Sequence, residues 1–317
     1  MIRVAAIDCG TNSIRLLVAD LEVPRDGRSM LRDVRREMRI VRLGQGVDAT
    51  GRLAPEALER TRVALADYAA LARDAAVERL RMVATSATRD AANRDDFFAM
   101  VRDTLGTDAE VISGDEEARL SFTGAVGDLD PTDGPFLVVD VGGGSTEVVL
   151  GHWDGTRPDV VAARSVNVGC VRITERCLTS DPPTPGQVSA AEQFAAATLQ
   201  DAFADVAVDK ARTWVAVAGT VTTLSAFAQR LPEYDPARIH LSRMPLQQLR
   251  DTATELLTST HEQRARNPVI HPGRVDVIGG GALIVRVLAE HLHTRAGIGE
   301  LVVSEHDILD GIALSLA

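Results

Sequence analysis

The chain is poor in three things. Lys210 is the only lysine among 34 basic residues, so arginine carries nearly all the positive charge. Its three cysteines, Cys9, Cys170 and Cys177, have the spacing of neither a zinc site nor a disulfide framework. No apolar run reaches the ~18 residues that a membrane-spanning helix needs. The N-terminal stretch Met1–Ile7 breaks at Asp8 and lacks a cleavage-site pattern, so no signal peptide is expected. Together these absences predict a soluble protein of the reduced cytoplasm with no membrane partner. A net charge of −11, from 34 basic and 45 acidic residues, argues against nucleic-acid binding through a broad basic surface.

What is present is ordinary globular composition, 45% hydrophobic and 25% charged. A length of 317 residues suits about two domains of roughly 150 residues each. Strands and helices alternate along the chain, which predicts an α/β fold. Val4–Ile7 and Ile14–Ala19 read as strands around a tight turn, and 34–43 as a third strand. Pro55 opens a helix with Leu58, Val63, Leu65 and Leu71 as its apolar positions, and 89–105 reads as one further helix. The turn-rich stretch 128–135 then precedes a second strand–turn–strand unit. Later segments continue the alternation: a helix over 187–206, a strand over 213–218, a helix over 246–258, and a helix over 282–291 that follows Gly279-Gly280-Gly281.

The two strand–turn–strand units carry the chemistry. They read Asp8-Cys9-Gly10-Thr11-Asn12-Ser13 and Asp140-Val141-Gly142-Gly143-Gly144-Ser145-Thr146-Glu147. Superposed, Asp8 meets Asp140, Gly10 meets Gly142 and Ser13 meets Ser145, which indicates an internal duplication. Each unit ends a buried strand on a carboxylate and then offers backbone N–H groups in a small-residue turn, the makings of an anion-binding concavity. Asp8, Asp140 and Glu147 are hard oxygen donors of the kind Mg²⁺ (or Mn²⁺) takes alongside phosphate oxygens. Two facing turns of this type would clamp a polyphosphate.

These two motifs resemble the phosphate motifs of the exopolyphosphatase / guanosine pentaphosphate phosphohydrolase (Ppx/GppA) family, within the actin–Hsp70–sugar kinase superfamily. The segments Thr85–Asn93, Ile112–Leu120, Gly219-Thr220, Gly279–Gly281 and Ser304–Gly311 agree with it in order, across essentially the whole chain. The resemblance implies two RNase H-like α/β domains around a cleft, one formed by 1–124 plus 304–317 and the other by 125–303, with hinges near Thr123–Asp128 and Glu300–Ser304. It implies Glu117 as the glutamate that activates water, and Asp140 and Glu147 as acidic residues near phosphate and metal. Arg89 matches a phosphate-contacting arginine. Gly10, Thr11, Asn12, Ser13 and Arg15 match the first phosphate loop, and Gly142, Gly143, Gly144, Ser145 and Thr146 the second, with Gly219 and Thr220 as further phosphate contacts. Asp307-Ile308-Leu309-Asp310-Gly311 departs from the Leu-Arg-Glu-Gly common in the family.

The implied activity is release of terminal orthophosphate from inorganic polyphosphate, in a homodimer. The alternatives are hydrolysis of the 5′-phosphate of pppGpp, a sugar-kinase-like ATPase, and a non-catalytic binder of polyphosphate or (p)ppGpp. Several residues also have plainer readings. Glu117 would complement a helix dipole, Arg89 would pair with nearby aspartates, and Arg15 with a cross-strand acid. Cys9 is expected to be a buried small residue, because Asp8 beside it raises a thiol pKa. His240, His261, His271, His291 and His293 show no metal spacing beyond His291-x-His293, which on a helix points two ways. Gly279–Gly281 reads equally as a nucleoside-side glycine motif or as close packing of a helix end. Arg25, Arg28, Arg32, Arg35, Arg36, Arg39 and Arg42 read first as a solvated strand pair and second as a basic track for a long anion.

Overall fold

The computed structural model describes residues 1–24 and 27–317, so Arg25 of the arginine cluster lies outside the described residues. Two mixed sheets are built on one plan. The first contains β1 (Ile2–Cys9), β2 (Ser13–Glu22), β3 (Met30–Ile40), β4 (Arg79–Ala84) and β5 (Glu110–Val111), in the order β3-β2-β1-β4-β5. The second contains β6 (Phe136–Val141), β7 (Thr146–Trp153), β8 (Pro158–Val166), β9 (Thr213–Val217), β10 (Arg243–Pro245) and β11 (Glu300–Val303), in the order β10-β11-β9-β6-β7-β8. In each, an antiparallel meander of three strands is extended by two parallel strands beside its first member, and in the second sheet β10 adds an antiparallel edge. The duplication suggested by the two motifs is therefore a duplication of sheets.

The central strands read as apolar runs because helices cover both of their faces. Along β1, Ala5, Ile7 and Cys9 pack with Leu65, Tyr68 and Phe97 of the helices Pro55–Asp74 and Arg94–Leu105. Val4 and Ala6 face the opposite way, against Ile308, Leu309 and Ile312 of the C-terminal helix Ile308–Leu314. The helix Gly114–Ala125 buries Ala118, Phe122 and Ala125 against Val138, Val149 and Val215 of the second sheet. The expected boundary at residue 124 thus falls at the end of a helix that packs under the second sheet.

Three expectations need correction. The stretch 89–105 is not one helix: Ser86–Asp90 and Arg94–Leu105 are separate. The break is held by Asn93, whose side chain accepts from Leu53 N at 2.8 Å and donates to Leu53 O at 3.1 Å. Val63 is exposed, and the helix Pro55–Asp74 instead buries Ala57, Ala64, Leu65, Tyr68 and Ala69, the small residues allowing close approach to the sheet. Gly279–Gly281 do not precede a helix but form the first turn of Ile278–Ala296. A Cβ on Gly280 would stand 2.8 Å from Ile173 Cγ2, and one on Gly281 2.5 Å from Thr220 Cγ2, so close packing accounts for two of the three glycines. Among the described residues, no helix is long and apolar enough to cross a membrane.

Candidate active site

The two turns meet. Asp8 pairs with Arg15 across the first hairpin and Asp140 with Glu147 across the second. Both hairpins are closed by the same bond, Gly10 N to Ser13 O at 2.9 Å and Gly142 N to Ser145 O at 3.1 Å. The carbonyls of Thr11 and Asn12 in the first turn and of Gly142 and Gly143 in the second are taken from outside the cleft. Thr11 O accepts from Gly44 N, and Asn12 O from Val41 N and Arg42 N. In the second turn, Gly142 O accepts from Cys170 N, and Gly143 O from Val171 N and Arg172 N. With the carbonyls held on one side, the N–H groups of Thr11, Asn12, Gly143 and Gly144 have no backbone partner among the described residues. They border a solvent-open cleft. The glycines have a second purpose beyond approach of a ligand. A Cβ on Gly143 would lie 2.9 Å from Thr11 Cβ, and one on Gly144 2.6 Å from Ser86 Oγ, so the second turn lies flat on the first.

Asp8, Glu117 and Asp140 line the floor, with Glu147 beside Asp140. Asp8, Glu117, Asp140 and Glu147 are all buried. Glu117 enters from the first turn of the helix Gly114–Ala125, which Ser113 caps by accepting from Glu116 N at 3.2 Å. Glu116, one residue earlier and so turned about 100° around the helix, points away to Arg81 at 2.6 Å. Glu117 takes a hydrogen bond from Arg89 Nη1 at 3.1 Å. Ser121, one turn further along the same helix face, donates to Asp140 Oδ2 at 2.8 Å. Ser165 Oγ donates to Glu147 Oε1 at 2.6 Å. Burial, reinforced by Asp140 and Asp8 and opposed by Arg89, pushes Glu117 up to about 7. Burial and the charge of Asp307 push Asp140 up to about 7. Burial and the neighbouring Glu117 and Asp140 raise Glu147 well above the carboxylate range. Arg15 differs: it is clasped between Asp8 and Asp307, whose charges outweigh the cost of burial and hold it cationic.

Most of the residues singled out from sequence converge. Asp8, Gly10, Thr11, Asn12, Ser13, Arg15, Glu117, Asp140, Gly142, Gly143, Gly144, Ser145, Gly219 and Thr220 all border the cleft. Three stand back from it. Arg89 acts on Glu117 rather than on the cleft, Glu147 stands beside Asp140 as its cross-strand partner without bordering the cleft, and the Thr146 hydroxyl is spent on Val168 O at 2.6 Å. Cys9 is buried as the last residue of β1, and burial, with Asp8, raises its thiol pKa.

Sequence reasoning missed Arg274. Its guanidinium covers the Cα of Gly219, where any Cβ would overlap it, and it has no side-chain hydrogen bond among the described residues. It ends a short 3₁₀ turn, Pro272–Arg274, that carries no motif. Its only sequence signal is that Gly219 must be glycine to make room. Ala218 beside it has φ 71, a left-handed conformation rare for a residue with a side chain, and such strain gathers at functional sites. Asp307, doubted because its segment departs from the family pattern, grips Arg15 and caps the last helix. Among the described residues, the arginine cluster forms no open basic track. Arg28 faces Asp128, Arg32 faces Asp20, Arg35 faces Glu37, Arg36 faces Asp310, Arg39 faces Asp67 and Arg42 faces Asp276. An arginine already matched by a carboxylate adds little attraction for a distant anion.

A pair of duplicated α/β sheets with amide-lined turns facing one acid-floored cleft defines a phosphate-handling enzyme of the actin-like, RNase H-like type. The comparisons place it more narrowly: residues 23–316 match the Ppx/GppA phosphatase family, and the chain belongs to that family. It is 59% identical, over 99% of its length and 98% of the relative's, to exopolyphosphatase 2 of Mycobacterium tuberculosis. A crystal structure of the Aquifex aeolicus Ppx/GppA family member superposes with TM-score 0.79 at 32% identity, covering 99% of this chain and 97% of that one. An exopolyphosphatase from Cytophaga hutchinsonii shares the fold, with TM-score 0.87 at 23% identity over 99% of this chain and 97% of that one.

Proposed function

We propose that the protein is an exopolyphosphatase that removes terminal orthophosphate from inorganic polyphosphate. The observation that carries this reading is the pair of matched turns whose free amides border one cleft, with Glu117 on its floor. The end phosphate sits against those amides, near Arg274. Glu117, fixed by Arg89, takes a proton from the attacking water as the water oxygen bonds to the terminal phosphorus. The bridging P–O bond breaks, and the shortened chain leaves with the electron pair. A base whose pKa lies near 7 suits this task. Positioning and charge compensation supply most of the rate in phosphoryl transfer.

The carboxylates Asp8, Glu117, Asp140, Glu147 and Asp307 outnumber the guanidiniums of Arg15, Arg89 and Arg274 around the site. A polyanion would be repelled unless a cation intervenes. Asp8 is already matched by Arg15, whereas Asp140 and Glu147 have only serine hydroxyls as partners. This donor set fits Mg²⁺ or Mn²⁺, held by Asp140 with Glu147 beside it. Such an ion would offset phosphate charge in the transition state. We further read the enzyme as a cytoplasmic homodimer.

One observation favours a second substrate. Arg15, Gly219 and Arg274 also border a neighbouring chamber of about 450 Å³, whose apolar wall is Met38, Tyr234, Val269, Ile270 and Leu309 and whose charged lining includes Arg36 and Glu305. An apolar wall suits the nucleoside end of pppGpp better than more phosphate. A phosphate-release assay with short polyphosphate, long polyphosphate, pppGpp and ATP, each with Mg²⁺, tests both readings. Release from polyphosphate is expected; release from pppGpp alone would favour the second reading; release from none would remove both.

A further inference from the structure

The second phosphate turn is held by more than its own hairpin. The helix Cys170–Cys177 begins directly behind it, and the backbone N–H groups of Cys170, Val171 and Arg172 take the carbonyls of Gly142 and Gly143 at 2.8–3.2 Å. One carbonyl of the turn remains, that of Gly144. It is taken by a side chain, Arg172 Nε at 2.8 Å. The same guanidinium then spans to the other sheet's half of the molecule. Nη1 pairs with Asp48, and Nη2 with Asp90 Oδ2 at 2.7 Å. Arg176 adds a bond to Asp48 at 2.7 Å, and the carboxylate of Glu175 accepts from Gly46 N at 3.3 Å. The Arg172 and Asp48 side chains are 13% and 19% exposed, so water screens this pair less than it screens surface pairs.

We propose that Arg172 is a positioning residue for phosphate hydrolysis. It fixes the Gly144 peptide so that the turn's amides face the cleft, and through Asp48 and Asp90 it locks that turn onto the half carrying the first phosphate turn. Arg172 itself lies behind the turn and does not border the cleft. Arginine is required because one planar fork must serve a carbonyl and two carboxylates at once. A lysine ammonium reaches one or two of them without the fixed geometry. The inference rests on the exopolyphosphatase reading, because that reading gives the amides their ligand.

Three variants test it: R172A, R172K and the double variant D48N/D90N. Phosphate release from tripolyphosphate with Mg²⁺ gives kcat and KM, and titration calorimetry of tripolyphosphate into the same variants in an E117Q background gives affinity without turnover. Thermal unfolding monitors the fold. A turn misplaced by about an ångström loses about a hundredfold in kcat/KM, which is the expectation for R172A, with R172K restoring only part of it. D48N/D90N keeps the Gly144 bond and strips the bridge of its negative charge, so its KM and tripolyphosphate Kd rise about tenfold while kcat stays within about threefold of wild type. A merely structural role would lower Tm and leave kcat, KM and Kd of the folded protein unchanged; that result overturns the proposal, as does full rescue by lysine. A wild type that releases no phosphate overturns the exopolyphosphatase reading instead, so the two failures are distinct.

Discussion

At the scale of single residues, the two hairpins show how a duplicated motif divides its labour. Position for position, Arg15 in the first corresponds to Glu147 in the second, each opposite the aspartate that ends the preceding strand. The first hairpin neutralises its aspartate and the second accumulates negative charge. That asymmetry puts the reactive carboxylates on one side, with Glu117 delivered from the helix between the sheets. Replacing Glu117 by glutamine removes the base while keeping shape and one hydrogen-bonding oxygen. Phosphate release should fall by roughly a hundred- to ten-thousandfold with an unchanged circular dichroism spectrum; undiminished release would exclude Glu117 as the base. Because burial and neighbouring carboxylates raise Glu117 and Asp140 to about 7, the base is protonated in acid, and kcat/KM should decline as pH falls through an apparent value that belongs to the coupled cluster. Added Mg²⁺ opposes protonation and should move this limb to lower pH. Asp140→Asn, which removes one of the charges raising Glu117, should move the limb of its residual activity the same way. Measuring kcat/KM across pH at two Mg²⁺ concentrations decides the point.

At the scale of elements, two glycines join the halves. Where the helix Gly114–Ala125 crosses the C-terminal helix Ile308–Leu314, a Cβ on Gly124 would overlap the Asp307 carbonyl, and one on Gly311 would overlap the Leu120 carbonyl. The crossing is backbone against backbone. One helix carries Glu117, and the other begins at Asp307, the partner of Arg15. Gly311→Ala should therefore cost about 1–3 kcal/mol in urea unfolding and reduce activity beyond the loss of folded protein, as Asp307 shifts away from Arg15; a neutral effect on both would show that the crossing can slide. The sequence made the strands and both turns visible, because a central strand covered on both faces is apolar throughout and a duplicated carboxylate–glycine pattern rarely arises from packing alone. Long-range partners left no local trace. The break at Asn93 depends on Leu53, forty residues earlier. Arg274 is marked only by the glycine beneath it, and the pairing of the arginine cluster depends on aspartates spread over the chain.

At the scale of the whole molecule, the chain passes between the two sheets twice, near residues 126–135 and near 304–307, and side chains tie the two crossings together. Asp128 lies on the first, His306 on the second, and His306 Nδ1 donates to Asp128 Oδ2 at 2.8 Å. His240 Nε2 stands 3.5 Å from the same oxygen, and Arg28 Nη2 lies 3.2 Å from the other. No spacing in the sequence announced this group, because its members are more than sixty residues apart. His240 Nδ1 accepts the backbone N–H of Glu305 at 3.2 Å, which leaves Nε2 as the ring's donor toward Asp128, so the arrangement is a hydrogen-bonded ion cluster. Asp128 is held well below the usual carboxylate range, first by the hydrogen bonds from His240 and His306. His306 is raised above 6.5, first by its bond to Asp128. The sign follows from both shifts. The aspartate's contribution is present above about pH 4 and is lost as pH falls toward its depressed value, whereas the histidine's is complete below about pH 6.5 and is lost as pH rises through its elevated value. The tie between crossings is thus strongest in the mildly acidic interval between them. Since His306 and Asp128 are each more than a third exposed, 38% and 35%, solvent limits the effect to about 1 kcal/mol or less. Urea unfolding of wild type and H306Q at pH 5.5 and pH 8.5 isolates it: the wild type should lead the variant at the lower pH, and the gap should close at the higher. A gap that is constant, or that widens with pH, would show that His306 bears no titratable share of the link between the halves.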